Sequence, residues 1–376
     1  MFDFVIIGGG VYGCATAWEL ARRGADVCLL EAQTIASGAS GGLGKRGVRA
    51  NGRDVRELPL MREAYDIWPT LHEQLDGPTG YERVGHLLII ERDIDLKRLA
   101  PQPWVQERSG IPSRLLSQAE LLEREPHINR SMLGAIFCPK DGIADHTATT
   151  RSYAAAARRL GAQIREQTAA ARLERHNGVV TAVITSEGER VPVGKAVLLA
   201  SNSHSQSALQ DEFNITLPMW RLQPQVLHTT PVDPMPLRHL IGHAHRTLAM
   251  KVSSENRVMV SGGWHGVLNP TTGRVEPVAE QVAGNLAQAA AVYPSLAGVE
   301  AQEVSVERAE LITHDGIPII DRFAAAQNLL LATGWCGHGW AIAPAVARHL
   351  AGWLLTERRP DVLAPFRYER FLKAVS

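Results

Sequence analysis

The chain has 376 residues, of which 45% are hydrophobic and 21% are charged. This composition is typical of a globular protein with a sizeable core, divided into about two domains. Lys plus Arg and Asp plus Glu both number 39, so the formal net charge is zero, which argues against a nucleic-acid-binding surface or a polybasic membrane anchor.

The four cysteines are scattered, at positions 14, 28, 138 and 336. They form no CxxC pair, so we expect neither a disulfide framework nor a metal site, and reduced thiols fit the cytoplasm. No apolar run approaches the roughly 20 residues that span a bilayer, and no basic leader with a cleavage site precedes the first predicted strand. The sequence therefore predicts a cytoplasmic protein without a transmembrane segment, which meets the inner membrane, if at all, through an electron acceptor.

The N-terminal segment DFVIIGGGVYGCATAWELARRGADVCLLE predicts a βαβ unit. Residues 4–7 are uniformly apolar, which is typical of a strand buried on both faces of a parallel sheet. Apolar residues then recur at helical spacing over 11–23, and Gly24 ends that helix. A second apolar strand over 27–30 leads into an acidic residue. These parts in this order are typical of a dinucleotide-binding unit.

Three glycines inside this unit, Gly8, Gly10 and Gly13, match GxGxxG. The first allows the tight turn, the second lets backbone N–H groups approach a pyrophosphate, and the third lets helix and strand pack closely. The helix N-terminus, with Val11 and Tyr12, offers partial positive charge to the phosphates.

An acidic residue and a Ser/Gly segment follow the second strand. Glu31, followed by Ala32, is placed to accept hydrogen bonds from the adenosine ribose, which disfavours the 2′-phosphate of NADP. A plain NAD fold would continue with a helix, whereas SGASGG at 37–42 suits backbone wrapped along the longer FAD. The alternatives are an NAD-dependent dehydrogenase and a flexible surface loop. If FAD is the cofactor, this segment predicts contacts from Ser37, Ser40, Gly41, Gly42 and Leu43.

Further segments complete a resemblance that covers nearly the whole chain. They are KAVLLASNSHS in the middle, and THDGIPIID and LLLATGWCGHGWAIAPAVARHLAGWLL near the C-terminus. Together with the N-terminal unit, they resemble the D-amino-acid-oxidase-like superfamily of FAD-dependent amine oxidoreductases. That group includes glycine oxidase, sarcosine oxidases, dye-linked proline dehydrogenases and the FAD subunits of opine oxidases.

The resemblance implies an α/β fold, α+β overall, with two interleaved domains. A Rossmann-like FAD-binding domain would comprise 1–80, 140–215 and 310–376, and a mixed-sheet substrate domain would comprise 81–139 and 216–309. In the second domain, strands rich in Val, Leu and Ile with polar partners favour a largely antiparallel sheet that covers the flavin.

The middle segment adds cofactor contacts by resemblance. A short strand over 167–172 would place Ala170 near adenine, and Ala200 and Ser201 would follow the middle strand. Asn202 stands where the family has Gly, and Asn tolerates a positive φ better than other non-glycine residues. We therefore expect the turn to be kept.

The C-terminal segment predicts a turn against the flavin ring. A strand over 329–332 and a helix over 341–355 would flank it, and backbone N–H groups at the start of the helix would stabilise negative charge on the reduced flavin. The alternative is a glycine turn that only joins strand to helix. The residues assigned to cofactor contact are Gly334, Gly337, His338, Gly339 and Trp340.

The expected chemistry is hydride transfer from the carbon beside an amine to flavin N5, which requires a neutral amine and a held carboxylate. Two carboxylate clamps of the family are absent. Glu310 stands where members that act on simple amino acids often carry Arg, and Ala341 stands where monomeric sarcosine oxidases carry Lys. Glu310 is a candidate partner for a cationic group of the substrate, and the alternative is a solvated Glu or a salt bridge with Arg308.

Basic residues elsewhere are candidate replacements for those clamps. Lys45 and Arg49 come directly after the Ser/Gly segment and are the first candidates; for Arg46 and Arg49, contact with phosphate, solvent or a partner chain is the alternative. His338 is a candidate beside the flavin, with packing as its alternative role. The remaining candidates are Arg221, Arg246 and Lys251 as anchors, and His86 and Trp264 as pocket residues that could equally be core.

We therefore predict an FAD-dependent dehydrogenase or oxidase that acts on the C–N bond of an N-substituted or cyclic amino acid of the opine, hydroxyproline, proline or sarcosine type. Monomeric sarcosine oxidases attach FAD at a Cys before the TPD motif, and this chain has none between Cys138 and Cys336, so we expect non-covalent FAD. By resemblance, the chain would work in a hetero-oligomer with an iron–sulfur or second flavin subunit, since its own cysteines cannot hold a cluster. The alternative is a non-catalytic FAD-binding or electron-relay subunit.

Overall fold

Two eight-stranded sheets organise the chain in the computed structural model, which describes residues 1–40 and 44–372. The strands are β1 Phe2–Ile7, β2 Val27–Leu30, β3 Lys45–Val48, β4 His86–Ile90, β5 Arg114–Ser117, β6 Gly134–Cys138, β7 Gly142–Asp145, β8 Gln163–Arg165, β9 Ala170–His176, β10 Val179–Thr185, β11 Arg190–Leu199, β12 Met219–Leu222, β13 Val226–Thr229, β14 Leu240–His243, β15 Ala249–Val252, β16 Val258–Ser261, β17 Val267–Leu268, β18 Val275–Glu276, β19 Ala301–Ser305, β20 Glu310–Thr313, β21 Ile319–Phe323 and β22 Ala326–Thr333. The α-helices are α1 Val11–Ala21, α2 Leu58–Ile67, α3 Leu71–Leu75, α4 Asp93–Leu99, α5 Gln102–Arg108, α6 Gln118–Arg124, α7 His146–Arg159, α8 Ser205–Phe213, α9 Ala279–Val292 and α10 Ala343–Thr356.

The first sheet has the strand order β21-β22-β11-β1-β2-β8, and β9 and β10 extend it beside β11. The central strand β1 runs parallel to both β11 and β2. Helix α1, which follows β1, packs against α7 and α10. The all-apolar strands are buried on both faces, because these helices cover one face and β9, β10 and α8 pack on the other. This arrangement confirms the predicted α/β fold with a Rossmann-like βαβ unit at its centre.

The second sheet has the order β19-β13-β16-β15-β14-β4-β6-β5. Its pairs are antiparallel except for β14 with β4, which is parallel. Helix α9 packs on one side of it, over a core that is separate from that of the first sheet. The mixed, largely antiparallel sheet is therefore as predicted, while the exact domain limits stay a prediction.

Short strand pairs hold the connecting segments in place. Strand β3, just after the Ser/Gly segment, is antiparallel to β7, and β12 is antiparallel to β20. The predicted strand over 167–172 begins late, at Ala170. Its first residue, Gln167, has a φ of 55°, which lies in the left-handed region that a strand cannot use. Asn202 has a φ of 38°, so the turn is kept, as predicted.

No helix in the part of the chain that the structure describes is long and apolar enough to cross a membrane.

Candidate cofactor and substrate cavity

A cavity of about 1280 Å³ lies between the glycine-rich turn of the first sheet and one face of the second sheet. Pockets for a single small ligand are typically about 300–1,000 Å³, so this cavity has room for a dinucleotide together with a substrate. The predicted residues that line it are Gly8, Gly10, Val11, Tyr12, Glu31, Ala32, Ser37, Ser40, Arg46, Arg49, His86, Ala170, Ala200, Ser201, Arg221, Lys251, Glu310, Gly337, His338, Gly339 and Trp340.

The glycine turn has the geometry of a phosphate cradle. Gly8 has a φ of 114°, and a Cβ there would lie 2.6 Å from the carbonyl oxygen of Ala200. A Cβ on Gly13 would lie 1.9 Å from the carbonyl oxygen of Gly8, so this residue lets α1 approach β1. A Cβ on Gly10, in contrast, would meet no described atom within 4 Å. Since Gly10 lines the cavity, that open space suits a pyrophosphate at the helix N-terminus.

The acidic residue after β2 is fixed beside this turn. One carboxylate oxygen of Glu31 accepts a hydrogen bond from the N–H of Gly9 at 2.6 Å, and the other accepts from the N–H of Gln33 at 2.8 Å. Each carboxylate oxygen has a second lone pair. Glu31 is therefore held at the edge of the cavity and can still accept hydrogen bonds from ribose hydroxyl groups.

The first helix and the C-terminal turn are joined directly. The ring of Tyr12 stacks on that of Trp335 with centroids 3.4 Å apart, and the Tyr12 hydroxyl donates to the carbonyl oxygen of Gly339 at 2.5 Å. Gly337 has a φ of 73° and open space where a Cβ would be. Trp340 lines the cavity, and its Nε1–H is buried without a hydrogen-bond partner among the described residues. A bound cofactor or substrate could accept that hydrogen bond.

Glu310 is the residue at which three of the sequence motifs meet. Its carboxylate accepts from Ser40 Oγ at 2.5 Å and from Asn202 Nδ2 at 3.4 Å, and from the N–H of Leu311 at 3.1 Å. Burial raises the pKa of Glu310, and these hydrogen bonds oppose the shift. Among the described residues it forms no ion pair with Arg308, so the alternative of a salt bridge or a solvated side chain is wrong.

A buried ion pair fixes the position of His338 on one side of the cavity. Arg53 and Glu57 are paired at 3.2 Å with almost fully buried side chains. Arg53 donates to the carbonyl oxygen of His338 at 2.7 Å, and the His338 Nδ1 lies 3.4 Å from a Glu57 carboxylate oxygen. Burial lowers the pKa of His338, although Glu57 opposes the shift. The imidazole is therefore neutral near pH 7 and fixed in orientation.

One cross-strand row of the second sheet forms the opposite wall. Lys251 on β15 lies opposite Met259 on β16, and Leu240 on β14 lies opposite His86 on β4. All four line the cavity. Lys251 is buried, and burial together with the charges of Arg46 and Arg49 lowers its pKa to about 7.

Two predicted anchors lie away from the cavity. Lys45 does not line it, although its neighbours Arg46 and Gly47 do, and its ammonium group pairs with Glu82 instead. Arg246 donates to both carboxylate oxygens of Glu91 at 2.7 Å. The hypothesis that Lys45 or Arg246 binds the substrate carboxylate is therefore wrong. Arg49 and Lys251 remain as candidates for that role.

The remaining predicted residues have other positions. Trp264 donates to the carbonyl oxygen of Thr247 at 2.7 Å and packs against Gly284 of α9, so it is not a pocket residue. Gly334 has a φ of 74° and contacts Thr313 rather than the cavity. Gly13 acts in packing. The contacts predicted for Gly41, Gly42 and Leu43 lie outside the described residues.

Several cavity residues were not predicted from the sequence as site residues. They are Arg53, His146, Gln225 and Arg308. Arg308 belongs to no motif, and a basic residue in a connecting segment gives no signal of its own in a single sequence.

A glycine cradle, a fixed acid at the ribose position and an unpaired Trp340 N–H define an enzyme that binds an adenine dinucleotide. The family model described as DAO, FAD dependent oxidoreductase, matches residues 3–353, so the chain belongs to the DAO family of FAD-dependent oxidoreductases. FAD, not NAD, is its cofactor.

Individual relatives cover the chain almost end to end. It is 26% identical over 381 residues to sarcosine oxidase subunit beta of Arthrobacter, covering 98% of this chain and 91% of that one. It is 27% identical to the bifunctional protein ThiO/ThiG of Trichormus variabilis, of which it spans 56%. The crystal structure of L-proline dehydrogenase from P. horikoshii has the same fold, with a TM-score of 0.88, 23% identity, and coverage of 99% and 98% of the two chains.

Proposed function

We propose that the enzyme oxidises the C–N bond of an N-substituted or cyclic amino acid, with FAD held non-covalently. The observation that carries this proposal is the pair of cations on the wall opposite the glycine turn. Lys251 is 5% exposed, and neither it nor Arg49 has a carboxylate within ion-pair distance among the described residues. A buried cation without a counter-ion is costly, so the cavity favours an anionic ligand at this point.

This anchor differs from those of simpler amino-acid oxidases in the family. Ala341 is fully buried and carries no charge, and Glu310 has hydrogen-bond donors of its own, from Ser40 and Asn202. A carboxylate held by Lys251 on β15 and by Arg49, just after β3, would replace both missing clamps. The substrate would then lie between that sheet and the C-terminal turn.

The protein side chains would orient the substrate and manage its proton. FAD, when bound, would supply the acceptor for the two electrons, which leave the substrate carbon as a hydride. Arg49 and Lys251 would fix the carboxylate and so aim the neighbouring C–H. His338 is neutral, and the described contacts engage its Nδ1, which leaves Nε2 to accept a proton from the substrate ammonium group. Glu310 would face the amine end as a hydrogen-bond acceptor.

The arrangement of subunits is part of the proposal. The Arthrobacter relative is by its name one subunit of an oxidase, and the four cysteines of this chain are free and dispersed. We infer a cytoplasmic hetero-oligomer in which a second subunit, with an iron–sulfur cluster or a second flavin, accepts the electrons. The competing function is a non-catalytic FAD-binding or electron-relay subunit.

Anaerobic bleaching of the flavin tests catalysis. The holoenzyme is mixed with sarcosine, L- and D-proline, hydroxyprolines, octopine and nopaline, and the flavin absorbance is followed. Bleaching by at least one amine, with dithionite as the positive control, supports the proposal. If dithionite bleaches the flavin and no amine does so, even with the partner subunit present, the electron-relay function is correct instead. Acid precipitation should leave the yellow colour in the supernatant, and a yellow pellet would contradict non-covalent binding.

A further inference from the structure

We propose that the substrate carries two carboxylates, one on the amino acid and one on the N-substituent, and that Arg308 binds the second. It would thus be an N-(carboxyalkyl) amino acid. This inference rests on the proposed function and adds the substrate class. Its basis is the number and order of positive charges along the wall of the cavity.

Positive side chains follow one another along that wall. The positive charges of Arg46 and Arg49 contribute to the lowered pKa of Lys251. The positive charge of Arg308 contributes to the lowered pKa of Arg46. Arg46 Nη1 lies 3.6 Å from the sulfur of Met259, and Met259 is directly opposite Lys251 in the sheet. Arg46 is therefore close to Lys251 and within electrostatic reach of Arg308, whereas the charges that lower the pKa of Lys251 are those of Arg46 and Arg49.

Arg308 also forms no ion pair with any residue that the structure describes. Its Nη1 is buried without a hydrogen-bond partner among the described residues, and the side chain lines the cavity. Glu307, the adjacent acid, is exposed and accepts from Ser305 Oγ and the Val306 N–H, both at 3.2 Å. Glu310 is bonded to its own donors, as described above. The carboxylates nearest in sequence thus leave Arg308 available.

A single carboxylate would compensate only one end of this wall. With a monocarboxylate bound at Arg49 and Lys251, the buried Nη1 of Arg308 would stay unpaired, which is unfavourable. A second carboxylate on the N-substituent would reach past Arg46 to Arg308. One charge-assisted hydrogen bond corresponds to an affinity ratio of about ten- to a hundredfold.

The test compares ligands that differ in one carboxylate. The holoenzyme is titrated anaerobically with iminodiacetate and with sarcosine, and octopine serves as a larger dicarboxylate. Binding without turnover is measured by thermal shift and flavin difference spectra with the ethers diglycolate and methoxyacetate. The variant is Arg308→Met, and the control is Arg274→Met, an exposed cation that does not line the cavity.

We expect the dicarboxylates to half-reduce or half-saturate the enzyme at about ten- to a hundredfold lower concentration than their monocarboxylate partners. Arg308→Met should remove this preference by weakening the binding of the dicarboxylates, and Arg274→Met should keep it. Equal affinity for both classes, with sarcosine or proline bleaching the flavin, would overturn the inference while the proposed function stands. In a different outcome, no amine bleaches the flavin, but diglycolate binds tightly and Arg308→Met abolishes that binding. This result would refute the proposed function and support the dicarboxylate site.

Discussion

Adding one methyl group to each of two glycines should separate cofactor binding from folding. Gly10 has a φ of −75° and a ψ of −179°, which any residue can adopt, and its Cβ would point into open space. The Cβ of Gly13 would instead lie 1.9 Å from a backbone oxygen. We therefore compare Gly10→Ala and Gly10→Val with Gly13→Ala, in protein stripped of FAD and in the presence of FAD.

The two positions should change stability with opposite signs. A Gly→Ala change at a compatible backbone conformation stabilises a protein by about 0.4–1 kcal/mol, because the unfolded chain loses freedom. Overpacking against a backbone that cannot move costs about 1–3 kcal/mol. For FAD, a methyl group between the Gly10 backbone and the pyrophosphate removes at least one charge-assisted hydrogen bond. That loss is about 1.5–3 kcal/mol, or roughly ten- to a hundredfold in Kd.

The measurements are thermal unfolding of the apoprotein by circular dichroism and FAD titration by quenching of flavin fluorescence. We expect Gly10→Ala apoprotein to be at least as stable as the native apoprotein and to bind FAD weakly, with Gly10→Val weaker still. Gly13→Ala apoprotein should unfold at a lower temperature. Native FAD affinity in Gly10→Val would refute the cradle, and unchanged stability of Gly13→Ala would refute the close contact of α1 with β1.

Three further outcomes are expected. In thermal unfolding, Lys251→Met should stabilise the substrate-free enzyme more at pH 6 than at pH 9, because the folded state lowers the pKa of this lysine to about 7. Its buried charge destabilises the folded state fully below pH 7, and this cost declines as the pH rises from 7 toward the pKa of the unfolded state. A stabilisation independent of pH would exclude a buried charge. Glu31→Ala should weaken FAD binding less than Gly10→Val does, and an equal loss in titration would show that the ribose contact matters as much as the cradle. In steady-state assays, Lys45→Met should turn over like the native enzyme while Arg49→Met raises KM, and the reverse result would return the anchor to Lys45.

The sequence predicted the parts of the site that rest on local backbone rules. Periodicity placed α1 and β2, GxGxxG placed the cradle, and the tolerance of Asn202 for a positive φ was recognised from its residue type. These signals are contained in short segments. They therefore needed no knowledge of how distant strands pair.

The order of preference among the candidate carboxylate anchors could not be predicted in the same way. Lys45 is adjacent to the Ser/Gly segment in sequence, but its position on β3 turns its side chain to Glu82. Lys251 reaches the cavity because of its register opposite Met259, and a one-residue slip would reverse the face of every side chain on its strand. Single-sequence reasoning has no access to that register.

The central strand of the first sheet has a consequence for synthesis. Strand β1 is made first, yet its partner β11 begins at Arg190, and β22, which pairs with β11, begins at Ala326. The hydrogen bond from the Tyr12 hydroxyl likewise forms only after Gly339, 327 residues later, has been synthesised. Such distant pairings slow folding, because long loops must close before their contacts form. During synthesis, the N-terminal unit must therefore avoid aggregation, with its flavin site incomplete, until the segment up to Gly339 has left the ribosome.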